Sequence, residues 1–206
     1  KTDILSKPLN KDEKTALRDK LQLPTDGKIA VAVGRFIPLK RYDVLIELWK
    51  DMPENNYLLL IGGGSEKQKY EEIIARHNLK KVIIEDFHKF DELLNYFRAA
   101  DIFVHPTTYD VWGLVINEAM ASGLPVVVSD TCVAGRELIV NGENGYLVKL
   151  YDDNNFIERV KEFLSNESLT EKAAAKAINT IKDFTVENMV TAQIENVEKI
   201  LSKNAG

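Results

Sequence analysis

Residues 101–130 read DIFVHPTTYDVWGLVINEAMASGLPVVVSD. The apolar, β-branched run DIFVHP ends in a proline and a polar loop. GLVINEAMAS then carries Leu114, Val115, Ala119 and Met120 at helical spacing, Gly123 stands where a helix-ending glycine belongs, and PVVVSD is a second apolar run. Strand, loop, helix and strand in one short span make a βαβ unit. Strands that are apolar almost throughout, rather than in alternation, are buried on both faces, which marks a parallel sheet.

The same alternation extends outward. KIAVAVG (28–34), YLLLIG (57–62), VII (82–84) and GYLVKL (145–150) read as strands. Helices are expected at 41–51, where Val44, Leu45, Leu48 and Trp49 share a face, and at 65–77, 90–100, 154–165, 168–182 and 186–202. The prediction is one doubly wound α/β domain: a parallel sheet of about six strands with helices on both faces, joined by right-handed crossovers. Residues 1–27 read as a linker with a short helix around Leu17, Leu21 and Leu23, stopped by Pro24, and 28–206 as the domain itself. The chain opens at Lys1 without a methionine and is expected to be a fragment of something longer.

Composition narrows the function classes. With 45% hydrophobic residues in 206, the chain can bury a core, and a net charge of −5 with scattered Lys and Arg argues against nucleic-acid binding. The single cysteine, Cys132, rules out an intrachain disulfide and a multi-cysteine zinc site and fits a reducing compartment; it reads as a small buried hydrophobe. No apolar run has the length of a membrane span or the layout of a signal peptide.

In a doubly wound fold, ligands sit beyond the carboxyl ends of the strands. The loop Gly34-Arg-Phe-Ile-Pro-Leu-Lys-Arg41 is neither a dinucleotide fingerprint nor a Walker loop. It sets Arg35 and Lys40 around Pro38 just before a helix, which suits a diphosphate; a solvated basic loop fits those residues equally well. Gly62-Gly63-Gly64-Ser65 could cradle a phosphate but reads more simply as a strand-to-helix turn with Ser65 as N-cap. A helix beginning near Gly113 would offer the Leu114 and Val115 amides to an anion. Glu118, one turn on, could then accept both hydroxyls of a ribose, and Asp110 could meet a sugar from the preceding loop. The plainer alternative makes both acids partners of the helix dipole. Asp152-Asp153 resembles a metal pair but precedes a helix that Asp153 or Asn154 would cap. His77, His88 and His105 share no ligand spacing; His105 alone, at a strand end facing these loops, merits attention.

Taken in order, VGRFIPLKRYDVLI, LLLIGGG, AADIFVHPTTYDVWGLVINEAMASGLPVVVSD and ELIVNGENGYLV resemble the C-terminal, Rossmann-like domain of GT-B glycosyltransferases, specifically the retaining family four. The resemblance runs from about Lys28 to Leu201. It implies that Arg35 and Lys40, beside Gly34, neutralise the diphosphate of a nucleotide-sugar donor. It implies that the Leu114 and Val115 amides beyond Gly113 contact the phosphates, and that Glu118 binds the ribose. The family's paired glutamates, with seven residues between them, fall at 110 and 118, and here position 110 is Asp, a carboxylate on a shorter arm. Asp86 and Phe87 fall in the loop expected near the base, with Asp86 where the family usually has Gly. Arg41 stands where Gly commonly follows the phosphate lysine.

The resemblance further implies a donor-binding half of a hexosyltransferase. The donor would be a UDP-sugar first, or a GDP-sugar, and neither metal nor other cofactor is required. A separate N-terminal domain would carry a glycan or lipid-linked acceptor and any peripheral membrane contact, in the cytoplasm at the inner membrane surface. The final helix, in FTVENMVTAQIENVEKIL, resembles a segment that packs back toward that domain. The fragment alone is expected to bind nucleotide and transfer little sugar. Two rivals share the residues: a non-catalytic nucleotide-sugar-binding subunit, and an epimerase of the same fold, which would need further catalytic carboxylates and a histidine.

Overall fold

The structure, a computed structural model, describes residues 9–184 and 186–204. The first eight residues of the expected linker and the last two of the expected domain lie outside that range. Helix α1 (Lys11–Lys20) leads into β1 (Lys28–Val33), a short 3-10 turn (Pro38–Lys40), α2 (Tyr42–Leu48), a second 3-10 turn (Trp49–Asp51) and β2 (Asn56–Ile61). There follow α3 (Lys67–Arg76), β3 (Val82–Glu85), α4 (Phe90–Ala99), β4 (Ile102–His105), α5 (Leu114–Ala121) and β5 (Val126–Ser129). The chain continues through α6 (Val133–Leu138), β6 (Gly145–Val148), α7 (Asp153–Ser165), α8 (Glu167–Ile181) and α9 (Val186–Asn204).

All six strands are parallel, in the order β3-β2-β1-β4-β5-β6. The strand periodicity of two distributes β1 between two apolar layers: Ala30 and Ala32 face the layer built with α2, α3 and α7, while Ile29 and Val31 face α4 and α5. All four side chains are fully buried. The chain winds outward from β1 to β3, then returns to lay β4 against the opposite side of β1, in register Ala30↔Ile102 and Val31↔Phe103. That reversal parts the connections leaving β1 and β4 and opens a crevice at their carboxyl ends.

Three local details differ from the expectation. Helix α6 was not foreseen because its Gly135 reads as a breaker. The glycine is there for closeness, since a Cβ on it would lie 2.9 Å from Val128 Cγ1 and 3.1 Å from Leu147 Cδ1. Ser65 does not cap α3. The amides of Glu66 and Lys67 instead donate to the carbonyls of Phe36 and Gly64, at 3.0 and 3.2 Å, which removes the need for a hydroxyl. At α7 the cap is Asp152, whose side chain accepts from the Asn155 amide, rather than Asp153 or Asn154.

The amino ends of the central strands β1 and β4 are tied by a buried charge cluster. Arg18 of α1 donates to the Ala99 and Gly27 carbonyls and, at 2.7 Å, to Asp101 Oδ2; Lys14 reaches Asp101 Oδ1 at 3.1 Å. Burial opposes ionisation of Asp101, but Lys14, Arg18 and the Ile29 amide outweigh it and hold its carboxyl below the usual range. Segment 11–20 is therefore fastened to the strands' amino ends. Among the described residues, no helix is long and apolar enough to cross a membrane.

Candidate functional site

A cleft of about 480 Å³ opens at the carboxyl ends of β1 and β4, within the size range of small-molecule sites. The loop after β1 contributes Val33, Gly34, Arg35 and Lys40; the loop after β3 and the start of α4 contribute Phe87, His88, Phe90 and Leu93. The loop after β4 and the first turns of α5 contribute Asp110, Gly113, Leu114, Val115 and Glu118. Of the residues that the resemblance sets around the donor, Gly34, Arg35, Lys40, Phe87, Asp110, Gly113, Leu114, Val115 and Glu118 line this cleft and Asp86 does not. That residue points to solvent, and Lys67 Nζ lies 2.6 Å from its Oδ1, a contact that holds its carboxyl below the usual range.

The glycine-rich turn after β2 shapes the site from behind. A Cβ on Gly62 would fall 2.0 Å from the Gly34 carbonyl, and one on Gly64 would fall 2.4 Å from the Phe36 carbonyl. These glycines let the two loops press together, with the Phe36 amide donating to the Gly63 carbonyl at 2.8 Å. Phe36 is fully buried against Tyr42 and Tyr70, and its neighbour Arg35 is exposed at the cleft wall. The GGGS stretch thus holds the β1 loop and lines no part of the cleft.

Helix α5 starts where the sequence placed it. Gly113 is its N-cap at φ +94°, a left-handed conformation, and a Cβ there would lie 2.6 Å from Cys132 Sγ. Cys132 is fully buried beneath this turn, its thiol donating to the Trp112 carbonyl at 3.2 Å. The amides of Leu114 and Val115 have no carbonyl upstream in the helix and lie at its positive end.

The charged groups divide into two kinds. Lys40 Nζ lies 2.6 Å from Asp110 Oδ2, and His105 Nε2 lies 3.2 Å from the same oxygen. The hydrogen bond from His105, reinforced by the Lys40 ammonium, holds the Asp110 carboxyl far below its usual value. Burial pushes the His105 pKa down; with Nε2 donating to Asp110, Nδ1 has no partner among the described residues. Arg35 and Glu118 are different: among the described residues neither side chain has a hydrogen-bond or ion-pair partner, and burial alone pushes the Glu118 carboxyl up. The site therefore presents one free guanidinium, one free carboxylate, orphan helix amides and one lysine already paired.

His105, Asp110 and Cys132 each offer a ligand atom within 4.8 Å of the others, a set that could hold a metal. The fit is poor. The Lys40 ammonium already occupies the Asp110 oxygen, and burial pushes the Cys132 thiol up, away from the thiolate a metal needs. Asp152 and Asp153 form no metal pair either, since one caps α7 and the other binds Arg41 at 2.9 Å.

Sequence reasoning missed His88, which stacks on Tyr96 with ring centroids 4.5 Å apart between Glu85 and Glu92. Its signal was the acid pair three residues before and four after it. Phe87, 80% exposed, stands beside it at the cleft wall as an open aromatic face.

The family model described as "Glycosyl transferases group 1" matches residues 13–180. An uncharacterized glycosyltransferase of Methanocaldococcus jannaschii is 30% identical over 165 residues, covering 80% of this chain and 46% of its own. A D-inositol 3-phosphate glycosyltransferase of Xylanimonas cellulosilytica is 28% identical over 201 residues, covering 94% of this chain and 48% of its own. The chain spans about half the length of these relatives. Among solved structures, Anabaena HepE in complex with UDP and glucose superimposes with a TM-score of 0.81 at 22% identity, over 98% of this chain and 54% of its own. With the six-stranded parallel sheet, these likenesses show that the chain belongs to the glycosyl transferases group 1 and has the fold of the C-terminal domain of a GT-B glycosyltransferase.

Proposed function

We propose that this domain binds the donor of a retaining hexosyltransferase, a nucleoside diphosphate sugar, in the cleft between the β1 and β4 loops. One observation carries the reading: Arg35 and Glu118 line one cleft together with the first turn of α5, a cation and a partly buried carboxyl group that have no partner among the described residues. A fork of donors suits two phosphate oxygens, orphan amides suit a third, and a lone carboxylate suits a vicinal diol. Phe87 and His88 provide an aromatic wall for a base, consistent with UDP and glucose bound to the HepE structure of the same fold.

In this reading Lys40 leaves Asp110 when the diphosphate enters. Arg35, Lys40 and the Leu114 and Val115 amides then stabilise the charge that grows on the departing phosphate as the glycosidic bond breaks. The acceptor hydroxyl attacks from the same face and gives its proton to that phosphate. Asp110, released from Lys40, is placed to accept a sugar hydroxyl. A glycan or lipid-linked acceptor would come from a further domain. Two apolar surfaces fit such a neighbour: the exposed Tyr109, Val111 and Leu114 at the cleft mouth, and the α9 stripe of Val190, Ile194, Val197 and Ile200. Work at the inner face of a membrane is part of the same proposal, on the resemblance alone.

The test is titration with UDP, GDP, ADP and UDP-glucose on the wild type, Arg35→Ala and Glu118→Ala. Binding of UDP that both substitutions weaken supports the reading; equal binding by all three proteins overturns it.

A further inference from the structure

Two bulky residues in left-handed conformations meet just outside the cleft. Arg41 has φ +53° and Tyr151 φ +68°, and the Arg41 guanidinium carbon lies 4.8 Å above the Tyr151 ring. Such backbone is a burden for an L-residue and none for glycine. Backbone strain of this kind persists only where the surroundings over-determine it. Here they do. Arg41 is 8% exposed, and one of its terminal nitrogens donates at 2.9 Å to both oxygens of Asp153, the first residue of α7. Helix α7 is itself seated on β1, β4 and β5, so this anchor is rigid.

Lys40 precedes Arg41 directly. On its other side the Leu39 carbonyl accepts from the Thr108 amide at 2.8 Å and from the Thr107 hydroxyl at 3.0 Å. The lysine backbone is therefore pinned between two anchors, one on the β4 loop and one on α7. Arg41 itself does not line the cleft.

We propose that Arg41 is a positioning residue for Lys40: its grip on Asp153 and Tyr151 fixes the backbone from which the Lys40 ammonium reaches the diphosphate of a nucleotide sugar. The inference rests on the donor-binding reading above. It assigns the β6–α7 connection a part in donor binding through a residue that never touches the donor.

The experiment is calorimetric titration of UDP into the wild type, Arg41→Gly, Asp153→Asn, Lys40→Ala and the Arg41→Gly/Lys40→Ala double variant, with thermal unfolding of each. Glycine accepts the native φ, so Arg41→Gly is expected to fold. It should weaken UDP binding about tenfold, as misplacement of a charged contact does, and Asp153→Asn should do the same. In the Lys40→Ala background Arg41→Gly should change nothing further, because it acts through the missing ammonium. A merely structural role would weaken binding by the same factor in both backgrounds, and that result overturns the proposal, as does wild-type affinity in Arg41→Gly. Failure of the wild type to bind UDP, or indifference to Lys40→Ala, marks failure of the donor reading itself and takes the Arg41 inference with it.

Discussion

Lys40 and Asp110 are each other's counter-ion across the mouth of the cleft, 2.6 Å from nitrogen to oxygen, with His105 gripping the same carboxylate oxygen from below. On the proposed reading, a phosphate entering the cleft competes with that carboxylate for the lysine. Position 110 therefore governs how much positive charge the empty site shows.

Removing the competitor should strengthen diphosphate binding. Asp110→Asn is expected to tighten UDP about fivefold, the equivalent of roughly 1 kcal/mol for a partly exposed pair. The gain should be smaller for UDP-glucose, where the loss of a sugar contact offsets it. Calorimetry with both ligands checks this, and weaker UDP binding by Asp110→Asn would contradict the competition.

The proposed ribose contact gives a separate signature. A charged hydrogen bond contributes about 1.5–3 kcal/mol, so the wild type should prefer UDP over its 2′-deoxy analogue by roughly tenfold or more. Glu118→Gln should erase most of that preference. An unchanged ratio would show that Glu118 does not meet the diol.

Acid stability follows from His105 and Asp110. Burial lowers the His105 pKa below its ordinary 6.5, so as pH falls through 6.5 the unfolded chain takes up a proton that the folded chain refuses. Stability should decline there by up to about 1.4 kcal/mol per pH unit. The Asp110 pKa is also depressed, so its contribution is full above its ordinary 3.8 and lost as pH falls further toward the folded value. Thermal unfolding of the wild type and His105→Gln between pH 7 and about 5 should show a shallower slope in the variant.

The N-cap of α5 tolerates no side chain. Gly113→Ala combines a left-handed backbone with a Cβ 2.6 Å from Cys132 Sγ, and should destabilise by about 2–3 kcal/mol. Adding Cys132→Ala should restore the steric part and leave the backbone part, which paired denaturant curves can separate.

At the amino ends of the strands, Asp101→Asn should cost about 3–5 kcal/mol, because it leaves buried Arg18 without its carboxylate. UDP affinity should hold in the fraction that stays folded.

The sheet was legible because parallel strands such as KIAVAVG and PVVVSD carry their burial as unbroken apolar runs, and the loops between them then point to the cleft. Helix α6 was not, because the glycine that lets it lie close to β5 is also the residue that suggests a break. The GGGS turn could be read as a phosphate cradle because the Gly34 and Phe36 backbones it accommodates lie far off in sequence. The Lys40–Asp110 pair joins residues 70 apart and depends on side-chain reach, which spacing does not encode. Nor does spacing encode the clamp of Arg41 on α7.

A crystal soaked with UDP decides the matter in one step. The β-phosphate should lie within hydrogen-bonding distance of Arg35 and Lys40, with Lys40 drawn off Asp110, the ribose hydroxyls on Glu118 and the base against Phe87. A nucleotide lodged elsewhere on the domain, or a Lys40 still locked to Asp110 beside a bound diphosphate, would contradict it.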